Sequence, residues 1–174
     1  MIGAAKSGST FHKDPNNTSA FNAIISGQKK WILLPPQRRP PGVFCDSSES
    51  SVVVPLSLVE WFEQFYDATR RMNALEAVLK PGDVIYVPRS WWHLVLNLEE
   101  SIAVTQNFAC TSQLQSTLKW LEAAPPGNAS GTHLTGQQLA LRLRQAIETK
   151  LPELARQLAA DEQHNAKKAR LFEG

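Results

Sequence analysis

Apolar and polar positions along this chain follow two regimes. As far as about Phe108 the apolar residues come in short runs broken by Gly, Pro and Asn clusters, the pattern of strands. From Ser112 onward they recur every third or fourth position, the pattern of helices. Residues 10–14 predict a short strand closed by Pro15, which cannot donate to a ladder. Ser19–Ile25 and Lys29–Leu34 flank Ser26-Gly27-Gln28 and predict a β-hairpin, with Pro35-Pro36 ending its second strand.

Residues 37–55, with Arg38-Arg39-Pro40-Pro41-Gly42 and the serine-rich run Asp46 to Ser51, read as a mobile surface insertion with little to bury. Ser57 is placed to cap a helix, with Glu60 at the capping-box position. Leu58, Trp61, Phe62, Phe65 and Tyr66 then form one apolar face of that helix, suited to core packing. Strands are predicted at 75–79, 84–87, 92–98 and 102–108, joined by tight turns such as Pro81-Gly82-Asp83. Together with the earlier segments they predict a mainly antiparallel double sheet or barrel.

Helices are expected at 113–124, at 136–150 and from Pro152 to about Lys168. Leu139, Leu143, Ile147, Leu151, Leu154 and Leu158 make an apolar seam along the last two, read as a surface for the barrel or for a second copy of the chain. The basic cluster Lys167-Lys168-Ala169-Arg170 reads as a solvated helix end. The organisation is therefore a mainly β core over residues 1–110, interrupted by the 37–55 insertion, and a helical C-terminal segment over 111–174 for packing or dimerisation.

Length and composition narrow the class. A chain of 174 residues, 43% hydrophobic and 20% charged, suits a globular domain with a sizeable core. A net charge of +2 does not point to nucleic acid and leaves that partner open. Cys45 and Cys110 have no C-x-x-C spacing, which argues against a disulfide framework or zinc knuckle and fits a reducing compartment. No apolar stretch reaches the ~18 residues of a membrane span, and the first residues are too short an apolar run for a signal peptide. A nuclear or cytoplasmic location is expected.

The chemistry concentrates in residues 9–31. His12 and Asp14 stand two apart in an extended segment, so both side chains are expected on one face. An imidazole beside a carboxylate is two-thirds of a facial 2-His-1-carboxylate site, which suits non-haem ferrous iron. A His-x-Asp triplet alone is common by chance. His93, within Pro88-Arg89-Ser90-Trp91-Trp92-His93, is a candidate third ligand. His133 lies in a polar loop and His164 in a charged helix, whereas His12 and His93 flank strand-like runs, where a rigid site is built.

Several ordered blocks carry a further likeness. They are Ser-Gly-Ser-Thr-Phe-His-Lys-Asp-Pro, Thr-Ser-Ala-Phe-Asn-Ala, Gly-Gln-Lys-Lys-Trp, Pro-Gly-Asp-Val-Ile-Tyr-Val-Pro with Trp-Trp-His, and Ile-Ala-Val-Thr-Gln-Asn-Phe. Through them residues 7–110 resemble the JmjC domain of the 2-oxoglutarate-dependent oxygenases, most of all its branch of lysyl hydroxylases and arginine demethylases. The resemblance implies a double-stranded β-helix of the jelly-roll or cupin kind, with iron held by His12, Asp14 and His93. It implies 2-oxoglutarate as cosubstrate, its distal carboxylate met by Lys29 and Thr105, with Asn22 and Ser9 beside it.

A buried dianion needs such partners, since an unpaired carboxylate is costly to bury. Lys30, the neighbour of Lys29, is expected to point the other way into solvent. Phe11, Phe21, Trp31, Tyr86 and Trp92 read equally as an apolar shell for this site and as ordinary barrel core. The implied activity is a dioxygenase acting on a lysine or arginine side chain of a protein, as hydroxylase rather than demethylase. A catalytically silent binding or dimerising module, and a cupin-like metal protein without 2-oxoglutarate, are the alternatives. Family domains carry strands and helices ahead of the His-x-Asp strand. Met1-Ile2-Gly3 corresponds to the end of the first barrel strand, so the chain reads as N-terminally truncated.

Overall fold

A computed structural model describes residues 1–45, 52–55, 57–125 and 127–172. The chain divides into two compact units, Met1–Phe108 and Ala109–Gly174. In the first, β1 (Ile2–Gly3), β2 (Gly8–His12), β3 (Ser19–Ser26) and β4 (Lys29–Leu34) precede a two-stranded ribbon of β5 (Phe44–Cys45) and β6 (Val52–Val53). Helix α1 (Leu58–Arg71) follows, then β7 (Leu75–Leu79), β8 (Val84–Val87), β9 (Trp92–Asn97) and β10 (Ser101–Phe108).

The eight longer-range strands make two four-stranded sheets, in the orders β1-β10-β3-β8 and β2-β9-β4-β7, with every pairing antiparallel. From β7 to β10 the chain crosses from one sheet to the other at each step, and it does the same from β1 to β4. This is the double-stranded β-helix of a cupin.

That crossing overturns the expected hairpin. β3 pairs with β10 and β8, whereas β4 pairs with β9 and β7. Ser26-Gly27-Gln28 is an arch between sheets, and Gly27 holds φ at +74°, where an added Cβ would lie 2.2 Å from the Glu100 carbonyl oxygen. A short glycine loop serves arch and hairpin alike. The distinguishing sign lies in β4 itself, whose Trp-Ile-Leu-Leu run is buried throughout. A strand covered on both faces reads as a continuous apolar run and belongs in the middle of a sheet.

The second cover of β4 is α1. Ser57 Oγ accepts the Glu60 backbone N–H at 3.1 Å, opening the helix where expected. The helix lays Trp61 on Phe11, ring centroids 5.1 Å apart, over a core of Ile32, Leu34, Val43, Trp92 and Leu94. The Trp61 indole N–H donates to the Pro41 carbonyl at 2.9 Å, so even the polar atom of this buried ring is satisfied. Residues 40–43 are thus core rather than surface insertion: Pro40 and Val43 are buried, and Gly42 at φ +78° comes within 2.7 Å of the Phe65 ring at its missing Cβ. The serine-rich run Asp46 to Ser51 lies outside the described residues.

The second unit holds α2 (Thr111–Ala123), α3 (Gly136–Lys150) and α4 (Pro152–Phe172). Thr135 and Gln138 cap α3 reciprocally. The leucine seam packs inside this unit. Ile147 and Leu158 close on Leu114, Leu118 and Leu121 of α2, while Leu151 leaves the seam and is exposed. Gly136 permits the close approach, since a Cβ there would stand 2.3 Å from the Leu121 carbonyl oxygen.

Trp61→Ala removes the largest fully buried side chain that α1 packs against the site-bearing sheet. The expected cost is about 3–5 kcal/mol of unfolding free energy, read as a lower urea midpoint.

Candidate metal centre

β2 and β9 lie side by side with His12 directly opposite His93, and the two imidazole centroids are 4.1 Å apart. Asp14 is not on the strand, as the sequence had suggested, because β2 stops at His12. It stands just before the 3-10 turn Pro15–Asn17 with φ −61° and ψ 145°. Proline forces its predecessor into this extended conformation, so the carboxylate keeps the direction of a strand residue without a ladder around it. The available ligand atoms of His12, Asp14 and His93 all lie within 4.8 Å of one another.

Both rings are oriented by the backbone two residues earlier. His12 Nδ1 sits 2.8 Å from the Thr10 carbonyl, and His93 Nδ1 sits 3.1 Å from the Trp91 carbonyl. A carbonyl oxygen only accepts, so each Nδ1 carries a proton, and the neutral tautomer this selects leaves Nε2 as the ligand atom. This is the outer support expected of metal-binding histidines. Burial, and then the neighbouring His12, lower the His93 pKa from 6.5 to about 4, so its ring is neutral and ready to coordinate at neutral pH.

Asp14 Oδ2 is buried with no hydrogen-bond partner among the described residues. A buried carboxylate oxygen without a partner, facing two nitrogen lone pairs, is a poor arrangement by itself and a good one around a cation. The donor set fits a divalent metal.

The three residues line a cavity of about 380 Å³ that also takes in Lys29, Asn22, Trp31, Ser9 and Thr105. Lys29 is buried at 3% exposure, and no carboxylate among the described residues pairs with it. Burial lowers its pKa. Asn22 is also buried, and its Oδ1 lacks a partner among the described residues. Thr105 stands opposite Asn22 in the β3–β10 register, exposed, and its hydroxyl donates to the Phe21 carbonyl at 2.9 Å.

A family model described as the cupin-like domain matches residues 1–113. The chain belongs to the cupin-like domain family. Over 175 residues it is 42% identical to the arginine-specific demethylase JMJ22 of Arabidopsis thaliana, covering 98% of this chain and 35% of that protein. It is 33% identical over 120 residues to the bifunctional arginine demethylase and lysyl-hydroxylase psr-1 of Caenorhabditis elegans, covering 66% of this chain and 30% of that one. It is 31% identical over 109 residues to the 2-oxoglutarate and iron-dependent oxygenase JMJD4 of Danio rerio, covering 62% of this chain and 25% of that one. These relatives agree with the JmjC likeness of the motif blocks. The cupin-like chain spans about a third of their length or less.

One expectation about the cupin-like site needs correcting. Lys30 does not reach into solvent: its ammonium pairs with Glu76 at 2.7 Å and donates to the Tyr66 hydroxyl at 2.9 Å. Of the five aromatics that read as shell or core, Trp31 lines the cavity and the other four do not. Phe11 and Trp92 are neighbours in sequence of His12 and His93, so alternation sends them to the opposite face, against α1. Phe21 and Tyr86 flank Phe108, with centroids 6.4 and 6.2 Å from it.

Among the cavity residues that escaped the sequence reading, Asn97 is the buried polar one. It donates to Ser7 Oγ and accepts from Ser101 Oγ, each at 2.9 Å. Its signal was available, since His93, Val95 and Asn97 alternate along β9 on the cavity face.

The depressed His93 pKa sets a pH dependence. The unfolded chain protonates this ring near 6.5 and the folded one only near 4, so lowering the pH through that window favours unfolding. The metal-free protein should lose stability as pH falls from about 6.5 to about 4. His93→Asn should flatten that fall, measured by urea unfolding at a series of pH values.

Proposed function

We propose that the chain carries the active site of an Fe(II)- and 2-oxoglutarate-dependent dioxygenase that hydroxylates or demethylates a lysine or arginine side chain of a protein. The observation that carries this reading is the meeting, in one cavity, of a His-Asp-His donor set and a buried lysine with no carboxylate partner among the described residues. The relatives' names supply the substrate class. A cationic cradle for a second anionic group is what separates this site from that of a cupin that only binds metal.

His12 and His93 would hold iron through Nε2, and Asp14 through its unpartnered carboxylate oxygen. Three protein ligands leave positions for the keto acid and dioxygen. Bound iron supplies the oxidising chemistry, in which the keto acid loses carbon dioxide to become succinate and one oxygen atom enters the target C–H bond.

The protein's own residues position and shield. Lys29 pairs with Asn97 across β4 and β9, while Leu33 pairs with His93. Four residues separate Lys29 from the His93 row, about 13 Å along the strand, and the lysine stem spans several ångströms of that gap. This spacing suits a short dicarboxylate gripped at one end by the metal and at the other by the ammonium. Lys29 would neutralise the distal carboxylate, a charge-assisted pair whose strength rises with burial. Asn22, Ser9 and the Thr105 hydroxyl would complete the polar lining, the last by turning from the Phe21 carbonyl toward the ligand. The buried outer core under α1 keeps the sheet that carries both histidines rigid.

Calorimetric titration of 2-oxoglutarate into the Mn(II)-loaded chain should show binding. Asp14→Ala should weaken metal binding by at least about a hundredfold. Lys29→Ala should keep the metal and weaken 2-oxoglutarate at least about tenfold. Succinate formation should require both iron and 2-oxoglutarate. Metal binding without any response to Lys29→Ala would instead identify a cupin-like metal protein that uses no keto acid.

A further inference from the structure

β2 ends one sheet and β1 ends the other, and residues of both strands line the His-Asp-His cavity. The cavity therefore reaches the gap between these two edges. On its free side β2 has no strand partner among the described residues. There it walls an open groove of about 590 Å³, closed on the far side by Ser57, Leu58 and Val59 at the start of α1. Ser7, Gly8, Ser9 and His12 border groove and cavity alike. A single strand thus separates the outside of the sheet from the candidate metal donors.

The ladder is irregular at the same place. Ser9 pairs with Val95 and His12 with His93, so Thr10 and Phe11 together face the one residue Leu94. Bulges of this kind gather at sheet edges beside active sites. Lys6, just ahead of the strand, is exposed and is the one ammonium among the described residues of the groove, which include no carboxylate.

Strand chemistry decides what such a groove recognises. A free edge offers a row of backbone N–H and C=O groups, and another extended chain is the ligand that meets the whole row. An added strand lies about 4.8 Å away, and residues directly opposite each other turn their side chains to the same face, Cβ atoms about 5 Å apart. The residue opposite His12 therefore turns its side chain to the cavity face, beside the imidazole. A lysine or arginine at that position has the long flexible stem needed to reach past the strand. The other edge of this sheet, β7, lacks the connection: its groove, with Tyr66, Arg70 and Leu75, includes none of the three donors.

We propose that the protein substrate docks as an added strand on the free edge of β2, with its target residue opposite His12 and an acidic residue beside Lys6. The proposal rests on the oxygenase reading above and states how the substrate of that site is held. Every ladder of the two large sheets is antiparallel, the slightly more stable pairing. In that direction the acidic residue follows the target by about six positions, the separation of Lys6 and His12 along the chain. Main-chain pairing fixes the geometry and reads sequence loosely, and Lys6 adds one charge preference.

The test uses the full chain, 15N-labelled and loaded with Zn(II) and 2-oxoglutarate, which holds the site without turnover. The probe is a twelve-residue peptide with lysine at its third position, glutamate at its eighth and ninth, and valine, serine and threonine elsewhere. At millimolar peptide, amides within Gly8–His12 should gain about fivefold or more protection from hydrogen exchange, while those of β7 stay as they were. N-methylation of the peptide backbone should weaken binding at least about tenfold at one set of alternate residues and little at the other, the period of a strand. Lys6→Glu should weaken this peptide roughly threefold and spare its glutamine counterpart.

Unprotected amides at Gly8–His12, protection at β7 instead, or N-methyl effects without alternation overturns the proposal. An equal response of the two peptides to Lys6→Glu overturns the acidic contact. If 2-oxoglutarate binds and β2 stays unprotected, the dioxygenase reading stands and this inference alone falls. If the peptide protects β2 in a chain that binds no 2-oxoglutarate, the docking edge stands and the dioxygenase reading falls.

Discussion

Polar and charged groups on the inner face of the β2-β9-β4-β7 sheet are buried before they are paired, and the rest of the molecule is arranged around that constraint. Lys29, Asp14 and Trp31 line one cavity, and Asn22 faces it from the opposing sheet. Each is costly to bury alone. They persist because the outer face of the same sheet is a dense apolar core. Trp61, Phe11, Trp92, Ile32, Leu34 and Leu94 hold the backbone of β2, β4 and β9 in register from behind. Stability gained on one face thus offsets incompatibility tolerated on the other, which is how strained functional sites are usually sustained.

The register is what turns that sheet into a site. His12 faces His93 across one ladder, and His93 faces Leu33 across the next. A slip of one residue in either pairing would send the imidazole toward α1 and bring Phe11 or Trp92 into the cavity. The aromatic neighbours therefore act as a lock on register. They are too large for the inner face and too apolar for solvent, so alternation holds the histidines inward.

Much of this was legible in the sequence, for identifiable reasons. Strand positions, the Ser57 cap and the apolar face of α1 follow from short-range pattern and came out close to their observed bounds. The convergence of His12, Asp14 and His93 was anticipated by their residue types and by flanking apolar runs. Topology was less legible. Ser26-Gly27-Gln28 fits an arch as readily as a hairpin, and only the two-sided burial of β4 separates them. Residues 40–43 looked like surface because proline and glycine usually mark it, yet Pro40 is buried and Val43 packs in the cluster of Trp61. Lys30 looked solvated because its partners Glu76 and Tyr66 arrive from distant segments.

The two sheets of the β-helix are unequal, and the inequality bears on mechanism. The sheet carrying both histidines and Lys29 is backed by α1, while the other presents Ile25, Val84, Ile102 and Val104 on its exposed outer surface. Metal coordination tolerates little displacement of its ligands, and the two histidines that could serve it stand on the sheet that α1 backs. The opposing sheet contributes Asn22 and Thr105, groups that adapt by rotating an amide or a hydroxyl. Under the proposed oxygenase function, rigid donors on the covered sheet and adjustable ones on the open one would divide the work, a small dicarboxylate being accommodated without moving the histidines.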